Sequence, residues 1–371
     1  MCLTPQAAAE RRPRSVSALA FEIAETRLAQ ARASRASLSP SERLRSLRAS
    51  LHEKLGDIDP EPKARARTIW TKQFSGLSVE AIALDTAPGI SVPLFFIKPQ
   101  AAPASHLPVV IAFAQGGKKA FLNRRGADIE ALLGRGVAIC LVDVRGTGET
   151  APLSSGAAGD ESSTPAWQNA SSATSLAATE LMLGATALGQ RLKDARTVVH
   201  YLMNRDDIDS KQLLLWGDSF AATNPREGLL DQSVGQQSGP QLIQQPDPLG
   251  SLLALLTALY EDDVRAVAAR GGLVSYLSVL QDRFSYVPED VIVPGILETA
   301  DIGDIVSALA QRAVLLEGFV DARDRGLTEP ELDLELRPGL GKAQSVPSRL
   351  LVRERSTSAG LADWLDGQLS R

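Results

Sequence analysis

The chain has 371 residues, of which 44% are apolar and 22% charged, and it carries a net charge of −5. That length holds one large α/β domain with an appendage or two ordinary domains, and the apolar fraction is enough for a sizeable core. The composition excludes a membrane span, because no apolar run approaches that length. It also excludes a disulfide framework or zinc spacing from Cys2 and Cys140, a metal set from the scattered His52, His106 and His200, and a nicotinamide or flavin site, whose glycine fingerprint is absent, so neither metal nor cofactor is expected.

Met1 to Arg14 has no apolar stretch of the signal-peptide kind, which makes the cytoplasm the expected compartment, with a domain of a longer exported protein as the alternative. Residues 1–72 carry 14 Lys/Arg against 8 Asp/Glu, and the remainder 25 against 36. A basic arm folded on its own acidic body accounts for this asymmetry. With no aromatic interleaving and no recognisable motif, no nucleic-acid partner is expected. Within the arm, Val16, Leu19, Ile23 and Leu28 recur near helical spacing over 15–36. A second helix has Ser39 as cap, Pro40 at its first position and Glu42 completing a capping box. Leu44, Leu47, Leu51 and Leu55 form its stripe, and Asp57 to Lys63 reads as a connector. Residues 1–72 are thus expected to be a helical N-terminal extension and 73–371 the main domain.

From about residue 76 the pattern changes to strands. Val79–Leu84 and Val92–Ile97, separated by Thr86 to Gly89, predict an antiparallel hairpin. Pro108–Ala114, Val137–Val142, 212–216, Val264–Ala269, Ala313–Glu317 and Arg349–Val352 are apolar runs of buried parallel type. Helices over 126–133, 187–203, 249–261, 301–310 and 359–369 separate or follow them. These eight strands predict a mostly parallel α/β sheet with helices on both faces. Two stretches interrupt the plan: Ala151–Ser172, rich in Ser, Gly and Ala, and Asn224–Pro248, rich in Gln and Pro. Both follow carboxyl ends of strands, where α/β ligand sites lie, and read equally as lid loops or plain insertions.

The strand 212–216 runs into Gly217-Asp218-Ser219-Phe220-Ala221, the strand-turn setting of a nucleophile elbow with alanine in place of the last glycine. The loop Ala114-Gln115-Gly116-Gly117 ends another strand and can offer a backbone N–H to an oxyanion, with the Phe220 amide as the second donor. Asp143 to Glu149 (DVRGTGE) is a tight loop in which Asp143 and Arg145 are expected to fix the turn. Together with Glu317-Gly-Phe-Val-Asp321 these motifs resemble the α/β-hydrolase superfamily, and within it the acetyl-xylan-esterase and dienelactone-hydrolase-like branch, over about residues 75–369. The resemblance implies an α/β-hydrolase fold, Ser219 as nucleophile, Asp321 as acid, and a histidine near Arg355 to Ala359.

No histidine follows Ser219 anywhere in the chain. His106 and His200 fall at the far end of the sheet, and His52 lies on the N-terminal helices. A carboxylate raised by burial can replace histidine as base. Glu289 or its neighbour Asp290, in the loop Tyr286–Pro294, is the first candidate; Asp218, Asp321, Lys118 and Lys119 are others. Asn224-Pro225 is a second departure, since proline there shortens the helix after the elbow. Two readings stand. One is a serine esterase of small or carbohydrate-linked carboxylic esters, using Ser219, the amides of Phe220 and Gln115–Gly116, and Asp321 or Glu289 for the proton. The other is a catalytically degenerate hydrolase fold kept as a binding or interaction module.

Overall fold

The computed structural model describes residues 14–100, 106–151, 166–226, 244–281, 284–340, 349–355 and 360–369, without the side chains of 166–173. The described strands are β1 (Ala66–Phe74), β2 (Leu77–Ala87), β3 (Ile90–Pro99), β4 (Leu107–Ala114), β5 (Ala138–Val142), β6 (Ile208–Asp218), β7 (Val264–Arg270), β8 (Ala313–Glu317) and β9 (Leu350–Arg353). They form one sheet in the order β1-β2-β3-β5-β4-β6-β7-β8-β9. From β5 through β9 every pairing is parallel, and β1, β2 and β3 pair antiparallel at one end. The eight expected strands are present. β1 is the ninth, and it moves the start of the sheet to Ala66. It escapes sequence reading because eight of its nine residues are exposed, so nothing in it alternates between core and solvent.

The helices are α1 (Val16–Ala36), α2 (Pro40–Leu55), α3 (Gly117–Gly134), α4 (Ala166–Met182), α5 (Ala187–Met203), α6 (Leu249–Tyr260), α7 (Ser278–Gln281), α8 (Ile302–Ala308), α9 (Glu329–Leu340) and α10 (Leu361–Leu369). One sheet face buries Leu213 and Leu215 against α2, α5, α6, α8 and α9. The other buries Leu214 and Trp216 against Phe121, Ile129 and Leu132 of α3 and Leu361 and Leu365 of α10. Part of the stretch expected as a loop is helical, since α4 begins at Ala166. None of the described helices is long and apolar enough to cross a membrane.

The capping box at Ser39 and Glu42 forms as its spacing predicts. Leu47, Leu51 and Leu55 of α2 belong to the main core, so this helix is part of the body. In α1 only Ala24 and Leu28 are buried, while Val16, Leu19 and Ile23 are exposed. This helix is held by charge. Arg32 forks onto Asp304 at 2.9–3.1 Å, Arg35 donates to the Thr299 carbonyl at 2.6 Å, and Arg27 pairs with Glu298. The basic arm therefore lies on acidic residues of its own body.

One close approach positions the centre of the molecule. Gly217 of β6 faces Gly250 of α6, and a Cβ on Gly217 would stand 2.1 Å from the Gly250 carbonyl oxygen. A Cβ on Gly250 would stand 2.4 Å from the Phe113 carbonyl oxygen and 2.5 Å from that of Asp218. Backbone cannot retreat as a side-chain tip can. Gly250→Ala should destabilise the fold by about 1–3 kcal/mol or more, measured by urea unfolding. Wild-type stability in that variant would mean that α6 does not seat on β6 this closely.

Candidate active site

Ser219 follows the last residue of β6 at the carboxyl edge of the sheet and is 3% exposed. Its Cβ abuts Gly271 after β7, where a methyl group would come within 2.5 Å of it; Gly271 sits at φ +64°. A nucleophile elbow needs a strained backbone at the serine and a helix starting directly after it. Neither is found. The described non-glycine residues with positive φ are Ser75, His106 and Asp324. No helix forms between Ser219 and Arg226, and α6, which packs on β6 as an elbow helix would, begins only at Leu249. The expected elbow is thus corrected to an open segment. Pro225 accounts for part of this, since it cannot continue a helix begun at Ser219. Residues 227–243 of the glutamine-rich stretch lie outside the described residues.

Asp218 is not a candidate base. It is fully buried and accepts from Arg125 Nε at 2.8 Å, Arg270 Nη1 at 3.3 Å, Trp216 Nε1 at 3.1 Å and the Ser219 N–H at 2.9 Å. It begins a ladder across the carboxyl ends of four strands. Arg270 of β7 donates to Glu317 of β8 at 2.6 and 2.9 Å, and Arg353 of β9 donates to the other Glu317 oxygen at 2.6 Å. Parallel register sets this alternation, pairing Arg270 with Glu317 and Glu317 with Arg353. The ladder braces the floor under Ser219 and leaves its carboxylates committed.

The other expected groups are dispersed. Asp321 does follow β8, but both its oxygens serve its own loop: Oδ1 takes the N–H groups of Arg323 and Arg325, and Oδ2 takes Arg325 Nε at 2.7 Å. Glu289 is exposed and accepts from Thr174 at 2.7 Å, a surface engagement that removes the ground for expecting a buried base there. Its neighbour Asp290 is buried and paired with Arg191 at 2.6 Å. Lys118 is buried against Asp143 and within 2.8 Å of Glu149, and Lys119 is exposed. Gly116 is exposed at the start of α3, and Gln115 Oε1 is buried without a hydrogen-bond partner. The Phe220 ring packs edge-on against Phe121 and under Arg125. Asp143 and Arg145 fix their loop as expected, Asp143 taking the N–H groups of Lys118 and Glu149, and Arg145 reaching Asp194. None of the histidines is near: His52 is 3.5 Å from Asp59, His200 2.9 Å from Glu261, and His106 precedes β4 at the amino end of the sheet.

Four residues that the motifs did not single out surround Ser219 instead. Arg355, just past β9, donates to the carbonyls of Ser219 and Ala221, each at 2.8 Å. Asn224 stitches three segments: its amide donates to the carbonyls of Gln244 and Arg323, and its oxygen accepts the Gln244 N–H at 2.9 Å. Asp324, with a left-handed backbone at φ +60°, accepts the Asn224 N–H on its carbonyl and keeps its carboxyl Oδ2 buried without a partner. Asp247 is half-buried two residues ahead of α6. A faint signal for Asp247 exists in the sequence, since Pro246-Asp247-Pro248 ahead of an apolar run reads as a helix start.

Burial and the nearby Asp290 charge push Asp247 up to about 6. Burial and the Asp247 charge push Asp324 up to about 8, and the two titrate as a coupled pair. Both values lie above the ordinary 3.8, so the folded protein holds protons that the unfolded chain has released. Their joint contribution therefore weakens as pH rises from the ordinary carboxyl range toward the folded values, with a limiting slope of about 1.4 kcal/mol per pH unit per proton. Asp324→Asn should flatten that fall between about pH 5 and about pH 7.5 in urea unfolding. Parallel wild-type and variant curves would show that Asp324 ionises normally.

Among the described residues no group of three or more His, Cys, Asp or Glu is placed to hold a metal. No protein-family model matches the chain, and no curated sequence matches it. Solved structures do. A provisionally assigned acetyl xylan esterase from Bacteroides fragilis superposes with a TM-score of 0.61 at 15% identity, over 88% of this chain and 78% of that one. A methylesterase superposes with a TM-score of 0.53 at 16% identity, over 94% of this chain and 67% of that one. At such identities the likeness concerns architecture: the chain has the α/β-hydrolase fold that its motifs implied.

Proposed function

We propose that this α/β-hydrolase-fold protein is a binding module that has lost its hydrolytic machinery. One observation carries the reading: the segment that should form the elbow, Ser219 to Ala221, is open, with its carbonyls held by Arg355 where a hydrolase of the resembled branch would have its histidine region. Among the described residues, none of the groups that the motifs offered as a base is free to take the Ser219 proton. Asp218 is saturated by cations, Asp321 by its own loop, and every histidine lies elsewhere. Fluorophosphonate labelling and nitrophenyl ester turnover of wild type beside Ser219→Ala test it.

One observation favours the second reading, a serine esterase with a carboxyl base. Asp247 and Asp324 flank the serine segment with values raised to about 6 and about 8, the range in which a carboxyl works as a base near neutrality. The esterases among the structural neighbours suggest small or carbohydrate esters as the substrates under that reading. Ser219-dependent turnover following a carboxyl pH profile would select it.

A further inference from the structure

The sheet ends at β1, and one edge of that strand is open. Among the described strands β1 is hydrogen-bonded to β2 alone, and eight of its nine residues are exposed. An open edge presents outward N–H and C=O groups that a further extended segment can take up. The register fixes which side chains stand beside them. From Trp70 to Phe74 the pairing with β2 is continuous, with Trp70 opposite Ala81, Lys72 opposite Val79 and Phe74 opposite Leu77. Strand alternation therefore puts Trp70, Lys72 and Phe74 on one face. The Trp70 ring tilts against Phe95 of β3 at 5.6 Å between centroids, and Phe95, Val79 and Leu77 pack on the second core. This apolar face runs from the core out to the edge and stops there, with Phe74 52% exposed.

Charge selects what can extend this face. Residues 62–79 hold Lys63, Arg65, Arg67 and Lys72 and no acid. Arg67 leans on Asp85 at 3.6 Å. Lys72 lies over the Trp70 ring at 4.9 Å and forms no ion pair among the described residues. A second copy of β1 would bring the same cations and no acid, and like charges across a strand pair repel, so the edge rejects its own kind. We propose that the open edge of β1 takes up an extended acidic segment of a partner protein as a further strand. Alternate side chains of that segment are apolar, acidic and apolar where they stand beside Trp70, Lys72 and Phe74. The backbone ladder holds the segment, Lys72 meets its acid, and Trp70 and Phe74 gain cover. β1 lies five strands from β6 along the sheet, roughly 24 Å at the usual spacing, so the proposal goes beyond the reading of Ser219 and does not depend on it.

The test is fluorescence anisotropy of a fluorescein-labelled peptide, Thr-Val-Thr-Glu-Thr-Val-Thr-Glu-Thr, titrated with the full chain. Binding should saturate, and amide exchange should slow in β1 when the peptide is bound. The same peptide with its backbone amides N-methylated keeps the charge but loses the donors, and it should not bind. A version with lysine for glutamate should not bind either. Lys72→Glu should weaken the acidic peptide about fivefold or more, the effect of reversing one exposed ion pair. Lys72 is exposed, so the variant should fold; if it does not, the peptide controls on wild type decide alone. No saturation below about 1 mM would overturn the proposal. Equal binding of the N-methylated peptide would overturn it too, because charge alone would then account for the attraction. Self-association that slows exchange in β1 would overturn it in favour of a second copy as the occupant. Ser219-dependent turnover would sink the binding-module reading and leave this result unchanged.

Discussion

p-Nitrophenyl acetate should be hydrolysed no faster by the wild-type protein than by its Ser219→Ala variant, and a fluorophosphonate should leave Ser219 unlabelled. The expected deficit is large. Losing the histidine of a serine triad costs about 10⁶ in kcat in subtilisin. A residual of about 10³–10⁴ over water ordinarily survives from the oxyanion hole and binding. That residual is not expected here. The segment that would offer the oxyanion its N–H groups is not a tight turn leading into a helix, since no helix forms between Ser219 and Arg226. The strained turn that presents a nucleophile is also missing, since Ser219 is not among the left-handed residues and is 3% exposed. Turnover that depends on Ser219, with an inflection between about 6 and about 8, would instead identify Asp247 or Asp324 as a base and restore the esterase reading.

Replacing Arg270 by methionine should cost about 3–5 kcal/mol, the usual penalty for leaving buried charge uncompensated. Arg270 is the cation between two fully buried carboxylates, Asp218 and Glu317. Arg125 still covers Asp218 and Arg353 still covers one Glu317 oxygen, but Glu317 Oε1 loses both of its Arg270 bonds. Arg353→Met should cost less, because the Arg353 side chain is 25% exposed and Glu317 keeps Arg270. Urea unfolding of the two variants side by side checks the order. Equal losses would mean that the ladder acts as separate pairs, and a negligible loss in Arg270→Met would mean that water reaches Glu317. The ladder also bears on function, since Asp218 hydrogen-bonds the Ser219 N–H and so fixes where the serine segment starts.

The α/β-hydrolase fold was legible in residue patterns that report local burial. Apolar runs such as Val264–Ala269 and Ala313–Glu317 became parallel strands, because a strand covered on both faces has no polar side to show. The capping box at Ser39 worked because it spans only three residues. Reading failed where burial gave no pattern, as in exposed β1; α1 forms where it was expected, but most of its apolar stripe stays exposed because charge holds the helix. The motif Gly217 to Ala221 was read as an elbow because small residues permit one. Its glycine instead admits Gly250 of a helix that starts about thirty residues after the serine.

The sequence by itself determined that the chain would build a mostly parallel sheet covered by helices, that Ser219 would follow a central strand, and that no histidine would come after it. Only the tertiary structure decided which groups meet at that serine. Arg355 reaches Ser219 across 136 positions of chain, and Asn224 reaches the Arg323 carbonyl across 99. Such encounters depend on strand order and parallel register, which add up the packing of the whole sheet. A pattern of neighbouring residues records only whether each position prefers core or water. It carries no information on which distant charge will stand beside it.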